Sequence, residues 1–146
     1  MMTGKSLRVA VNLSPRQFDD PDLVSIVSHA LETSGLAAEN LEIEVTESML
    51  MHDIDAVIAQ LNSIKSTGST ITIDDFGSGY SSLSYLKSLP VDILKIDQSF
   101  VSDIPDDLNA MEIASAVIAV AHKLNLKVIA EGVENIDQRD FLVINR

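Results

Sequence analysis

The sequence predicts an α/β protein built from about five strand–helix units with parallel strands. Two observations carry that expectation. Short β-branched, apolar runs recur roughly every 30 residues along the chain. Between them the apolar residues change to helical spacing, bounded by capping and turn residues. A strand joined to the next strand through a helix returns in the same direction, so a parallel sheet follows.

The elements run in order. "LRVAVNLS" (Leu7–Ser14) is the first strand, and a helix is expected over Asp20–Ser34, with Pro21 at its entry and Gly35 after it. "LEIEVTES" (Leu41–Ser48) is the second strand, with a helix over Asp53–Ser66 that Asp53 is placed to cap and Gly68 follows. "STITIDD" (Ser69–Asp75) is the third strand; a glycine-containing loop and a short helix near Ser81–Ser88 come next, ending before Pro90. "VDILKID" (Val91–Asp97) is the fourth, with a long helix over Asp107–Leu124. "LKVIAEGV" (Leu126–Val133) is the fifth, and a last helix starts near Asn135. Internal repeats, low-complexity segments and linkers are absent, so the 146 residues read as one unit.

Each strand brings polar residues to its carboxyl end: Asn12; Glu44 and Glu47; Asp74 and Asp75; Lys95 and Asp97; Glu131 and Glu134. In parallel α/β proteins that edge of the sheet is where ligands bind. Ordinary structural readings exist for each residue alone. Asn12 and the Asp74–Asp75 pair could form turns, Glu44 and Glu47 a wetted strand end, and Glu131 a turn before Gly132. Lys95 resists such a reading, since between Leu94 and Ile96 it needs carboxylate neighbours or a depressed pKa. So many carboxylates converging at one edge would call for compensating cations, and Mg²⁺ or Mn²⁺ suits oxygen donors of this kind.

Bulk properties narrow the function. The formal charge is −12, from 22 acids against 10 bases, which disfavours binding to a DNA or RNA polymer through bulk electrostatics. A phosphate-bearing ligand would therefore need divalent cations. The lack of cysteine removes disulfide frameworks and thiolate metal sites and suits a reducing cytoplasm. No window approaches the roughly 18 apolar residues of a membrane span, and "MMTGKSLRV" lacks a signal-peptide apolar region. His29, His52 and His122 show no ligand-like spacing and read as structural or surface residues. "DFG" appears without the companion motifs of protein kinases. A phosphoacceptor receiver would carry its acidic pair after the first strand, whereas here the pair follows the third.

The segments "VNLSPRQF" (Val11–Phe18), "EVTES" (Glu44–Ser48), "DDFGSGYSSLSYL" (Asp74–Leu86), "LPVDILKIDQSFV" (Leu89–Val101) and "VIAEGVE" (Val128–Glu134) together resemble the EAL family of bacterial cyclic di-GMP phosphodiesterases, over about residues 7–142. The resemblance implies a TIM-like barrel with its site at the carboxyl ends of the strands. It implies that Asn12, Glu44 and Asp74 are ligands of one metal, that Asp74 bridges to a second, and that Asp75 and Glu131 hold that second ion. It makes Lys95 the group that orients or activates the attacking water, with Glu131 as a further candidate base. Glu47 would anchor the loop from Phe76 to Ser82, which in the family couples metal binding to dimer contacts. The implied reaction is hydrolysis of cyclic di-GMP to linear 5′-pGpG with Mg²⁺ or Mn²⁺, in a bacterial cytoplasm.

One departure accompanies the resemblance. The glutamate–alanine–leucine tripeptide, whose glutamate would be a ligand of the first metal, does not occur in the 146 residues, and "DFLVINR" precedes the point where a glutamine–glycine–tyrosine motif is expected. The expectation is a partial barrel of five units with two open edges. An incomplete gene, a decayed gene, and closure by a homodimer or another chain all stay open. Weak or absent hydrolysis by this chain alone is expected, and the alternative is a non-catalytic module that binds cyclic di-GMP or a protein.

Overall fold

The computed structural model describes residues 7–51, 53–77 and 83–146. Its five strands are β1 (Val9–Asn12), β2 (Leu41–Thr46), β3 (Thr70–Phe76), β4 (Ile93–Ile96) and β5 (Lys127–Ala130). They form one sheet in the order β1-β2-β3-β4-β5, every neighbouring pair parallel. The helices are α1 (Pro15–Phe18), α2 (Leu23–Ser34), α3 (Ile54–Lys65), α4 (Leu83–Ser88), α5 (Gln98–Ser102), α6 (Leu108–Lys123) and α7 (Ile136–Ile144). This is the α/β alternation that the sequence predicts, with strands trimmed at their ends.

Two short helices were not among the expectations. α1 is a single turn started by Pro15 and held by a reciprocal capping box, in which Ser14 Oγ accepts from Gln17 N and Gln17 Oε1 accepts from Ser14 N. α5 follows β4 directly, capped by Asp97, whose carboxylate accepts from Ser99 N at 2.7 Å. The expected short helix before Pro90 is described from Leu83; Ser81 and Ser82, the loop positions 78–80 and His52 lie outside the described residues. His29 and His122 are exposed on α2 and α6. No helix among the described residues is long and apolar enough to cross a membrane.

The two faces of the sheet differ because side chains alternate along a strand. On one face Ile43 pairs with Ile71, Val45 with Ile73, Ile73 with Leu94, and Ile96 with Ala130. This aliphatic layer joins Val57, Leu61 and Ile64 of α3 and Ile118 of α6 in the core. The register places Asn12 beside Glu44, Thr46 beside Asp74 and Lys95 beside Ile129 on the opposite face. Glu42 is buried there too, one layer below Glu44. It accepts from Thr72 Oγ1 at 2.6 Å, with Arg8 Nη1 at 4.0 Å. Every residue of β1 is exposed, and β5 alternates between exposed and half-buried, so the sheet is best covered at its centre.

Leu61 is fully buried between α3 and the sheet. Leu61→Ala is expected to cost about 2–5 kcal/mol, from lost burial and the cavity left behind. Urea unfolding checks this, with the midpoint falling and the slope unchanged.

Candidate metal centre

The carboxyl edge of the sheet gathers acids around one ammonium group. Lys95 leaves β4 on the polar face and reaches Glu131 Oε1 at 2.6 Å, Glu44 Oε1 at 3.0 Å and Asp74 Oδ1 at 3.5 Å. Its side chain is 12% exposed, so water does little of the solvation and the carboxylates do most of it. Burial alone would push the lysine pKa down. The hydrogen bonds that the ammonium donates to Glu131 and Glu44 and the charge of Asp74 outweigh it, and the pKa rises. Of the two states the sequence allowed, Lys95 thus occupies the carboxylate-paired one and is an ammonium ion.

Asp74, Asp75 and Glu131 form a second grouping, with one carboxylate oxygen from each lying within 4.8 Å of the others. Strand geometry by itself forbids this, since consecutive residues point to opposite faces. The chain escapes the alternation at this point. Pairing between β3 and β4 shifts register between Ile73 and Phe76, and Asp75 takes a left-handed backbone, φ 55°. Aspartate is among the few residues with a side chain that visit this region readily. The irregularity turns Asp75 toward the same edge as Asp74.

Asp75 is also hydrogen-bonded to Asp97. Partial burial, the charge of Asp74 and the contacts with Asp97 and Glu131 raise its pKa. Asp97 moves the other way, lowered by hydrogen bonds from Ser99 that outweigh its burial. Within the pair, then, Asp75 is the carboxyl that takes up a proton first as pH falls and donates it to Asp97.

The remaining expected residues fall at different distances from this centre. Glu44 is buried and joins it through Lys95. Asn12 ends β1 in register with Glu44 and is exposed. Glu47 is buried in the short turn Glu47–Met51, and its Oε2 accepts from Gly77 N at 2.9 Å, at the entry of the loop after β3. Glu131 follows β5, with its amide donating to Ile96 O at a long 3.3 Å. Glu134 is exposed on the far side of Gly132. Asp97 was visible in the sequence as a strand-end acid. Its contact with Asp75 was not, because that contact depends on the register shift.

Fold and site together define an α/β protein with an acidic, lysine-centred cluster at the carboxyl edge of a parallel sheet. The chain belongs to the EAL family: the EAL domain pattern matches residues 1–143. It is 54% identical over 136 residues to the cyclic di-GMP phosphodiesterase NbdA of Pseudomonas aeruginosa, and 47% identical over 139 residues to the signaling protein YkoW of Bacillus subtilis. These alignments cover 93% and 95% of this chain but 17% of each relative. Among solved structures, the phosphodiesterase PaMucR in complex with c-di-GMP superposes with a TM-score of 0.90 at 46% identity, over 94% of this chain and 56% of that one. A manganese and cyclic di-GMP complex of Klebsiella pneumoniae BlrP1 superposes with a TM-score of 0.86 at 32% identity, over 96% of this chain and 36% of that one.

Two substitutions separate the electrostatic roles in the metal-free chain. A raised pKa means that Asp75 favours folding below the ordinary carboxylate range, and this contribution is lost as pH rises through the raised value. At neutral pH its charge is a cost. Asp75→Asn keeps the left-handed backbone and can donate an amide N–H to Asp97, so a gain of about 1 kcal/mol is expected. Lys95→Met strips Glu44 and Glu131 of their cation, and a loss of about 3 kcal/mol is expected. Thermal unfolding at pH 7 in the presence of a chelator measures both.

Proposed function

We propose that this chain is part of an EAL-type phosphodiesterase domain that binds cyclic di-GMP, the family reaction being divalent-metal-dependent hydrolysis to linear 5′-pGpG. One observation carries the reading: Asp74, Asp75 and Glu131 place carboxylate oxygens within 4.8 Å of one another, beside the Lys95 ammonium. Three hard oxygen donors at that separation fit Mg²⁺ or Mn²⁺, and the raised pKa of Asp75 marks negative charge that the protein's own groups leave partly uncompensated. The P. aeruginosa relative bears the name cyclic di-GMP phosphodiesterase, and the BlrP1 complex is one with manganese and the same nucleotide.

In this reading Asp74, Asp75 and Glu131 hold a cation, Asp74 shared with a second site that Glu44 and Asn12 complete. Bound there, divalent cations neutralise phosphate charge and supply a water of lowered pKa. Lys95, being an ammonium, acts by orientation: its three N–H groups can fix a carboxylate, the attacking water or a phosphate oxygen, while a proton is left for Glu131 to accept. Glu131 suits that part, with a side chain 38% exposed toward the open edge. Glu47 holds the backbone at Gly77 and so fixes the entry of the loop beside Asp75.

Both flanks of the site are open in the 146 residues. Asn12 stands on a strand whose every residue is exposed, and Glu131 follows the opposite edge strand. Neither residue is held by neighbours on both sides, the support on which a catalytic metal site relies. Hydrolysis by this chain alone is accordingly weak or absent, and binding of cyclic di-GMP without turnover is the second reading that the same openness favours.

The test is chromatography of cyclic di-GMP incubated with the chain and Mn²⁺ or Mg²⁺, beside Asp74→Asn. The expected trace shows little or no 5′-pGpG, with nucleotide binding detectable by titration and weakened in the variant. Abundant product that disappears in Asp74→Asn would show that the five units suffice for catalysis. Absence of both binding and product would remove cyclic di-GMP as the ligand of this chain.

A further inference from the structure

The acids of the cluster come from strands that do not touch. β3 and β5 flank β4, so no backbone hydrogen bond between their strands sets the distance from Asp75 to Glu131. On the β5 side, the amide of Glu131 reaches Ile96 O only at 3.3 Å. The helix that follows β4 spans the gap. α5 meets both segments through side chains that point back at the sheet edge.

Gln98, its first residue, lies against Gly132, the neighbour of Glu131. A Cβ built at position 132 would overlap Gln98 Cγ and come within 2.8 Å of its Cδ and 3.1 Å of its Cβ. Phe100, two residues on, lies against Gly77: a Cβ there would meet Phe100 Cε2 at 2.9 Å. Both glycines adopt positive φ, 68° at Gly132 and 99° at Gly77. Glycine is therefore required twice over, by backbone conformation and by the closeness of an α5 side chain. Gly77 is gripped from two sides, since its amide donates to Glu47 while the ring of Phe100 lies against its α-carbon. Asp97, the cap of the same helix, is itself hydrogen-bonded to Asp75.

We propose that Gln98 and Phe100 are positioning residues: seated on Gly132 and Gly77, they set the separation of Glu131 from Asp75 and hence the affinity of the cluster for a divalent cation. The inference rests on the metal-holding reading above and extends it to two side chains that bear no ligand atom. Gln98 is an exposed residue at the start of a helix, where substitution alone ordinarily changes stability little. Its effect is therefore expected in metal affinity rather than in folding.

The experiment measures Mn²⁺ binding to the whole chain by the electron paramagnetic resonance signal of free Mn²⁺, beside thermal unfolding without metal. Gln98→Ala is expected to weaken Mn²⁺ binding about tenfold, the scale seen when a ligand's supporting contact is removed. Its unfolding midpoint should stay within about 2 °C of the unaltered chain. Gly132→Ala drives a methyl group into Gln98 and should weaken binding further, and the double variant Gln98→Ala/Gly132→Ala should recover part of that loss. Phe100→Leu should weaken binding in the same direction, from the Asp75 side. Folded variants that bind Mn²⁺ within twofold of the unaltered chain would overturn the inference. So would affinity losses that merely track lost stability, with no recovery in the double variant. No Mn²⁺ uptake by the unaltered chain would overturn the metal-holding reading itself, and the inference with it.

Discussion

The charge on Lys95 is the constraint around which the carboxyl edge of this sheet is arranged. A chain with a formal charge of −12 brings Glu44, Asp74 and Glu131 to one ammonium, at 3.0, 3.5 and 2.6 Å. Without that cation the acids would repel one another at short range, where partial burial weakens screening. The aliphatic face of the sheet makes the arrangement affordable. Ile43, Val45, Ile71, Ile73, Leu94 and Ile96 belong to the core cluster that packs against the helices, and they hold the strands in register whatever the polar face carries. Stability resides on one side of the sheet and unfavourable charge on the other.

The second device is local. A register shift and one left-handed aspartate let two consecutive acids serve the same edge. The strand keeps pairing through Phe76, which is buried again after the shift. The cost is a carboxyl group with a raised pKa, partly relieved by the hydrogen bond to Asp97. In this structure strain and charge repulsion coincide at Asp75, a pairing common where function has shaped a backbone.

Much of the fold was legible in the sequence because its signals are local. β-branched runs such as "TITI" mark strands, Asp53 does cap α3, and the capping residue Asn135 does start α7. The convergence of polar residues was legible for the same reason, since strand ends in a parallel sheet lie on one edge. What stayed hidden depends on partners distant in the chain or on departures from periodicity. Glu42 reads as a polar strand residue, and Thr72, thirty positions later, together with Arg8 makes its burial tolerable. α5 is five residues long, too short for a helical period to show. That Asp74 and Asp75 face the same way contradicts strict alternation, and two adjacent acids ahead of Gly77 were the sole hint.

The uneven cover along the sheet also has a kinetic consequence. β3 lies at the centre with its core positions buried, whereas β1 and β5 are edge strands with open backbones. Amide hydrogens should exchange slowly in the middle and quickly at the rims, because local opening starts where least is buried. Residues at this edge should thus differ in lifetime: Asp74, on the central strand, should outlast Asn12 and Glu131, which fraying of the flanks exposes first. Covering those rims would lengthen the residence time of any ion held between them, without touching a ligand.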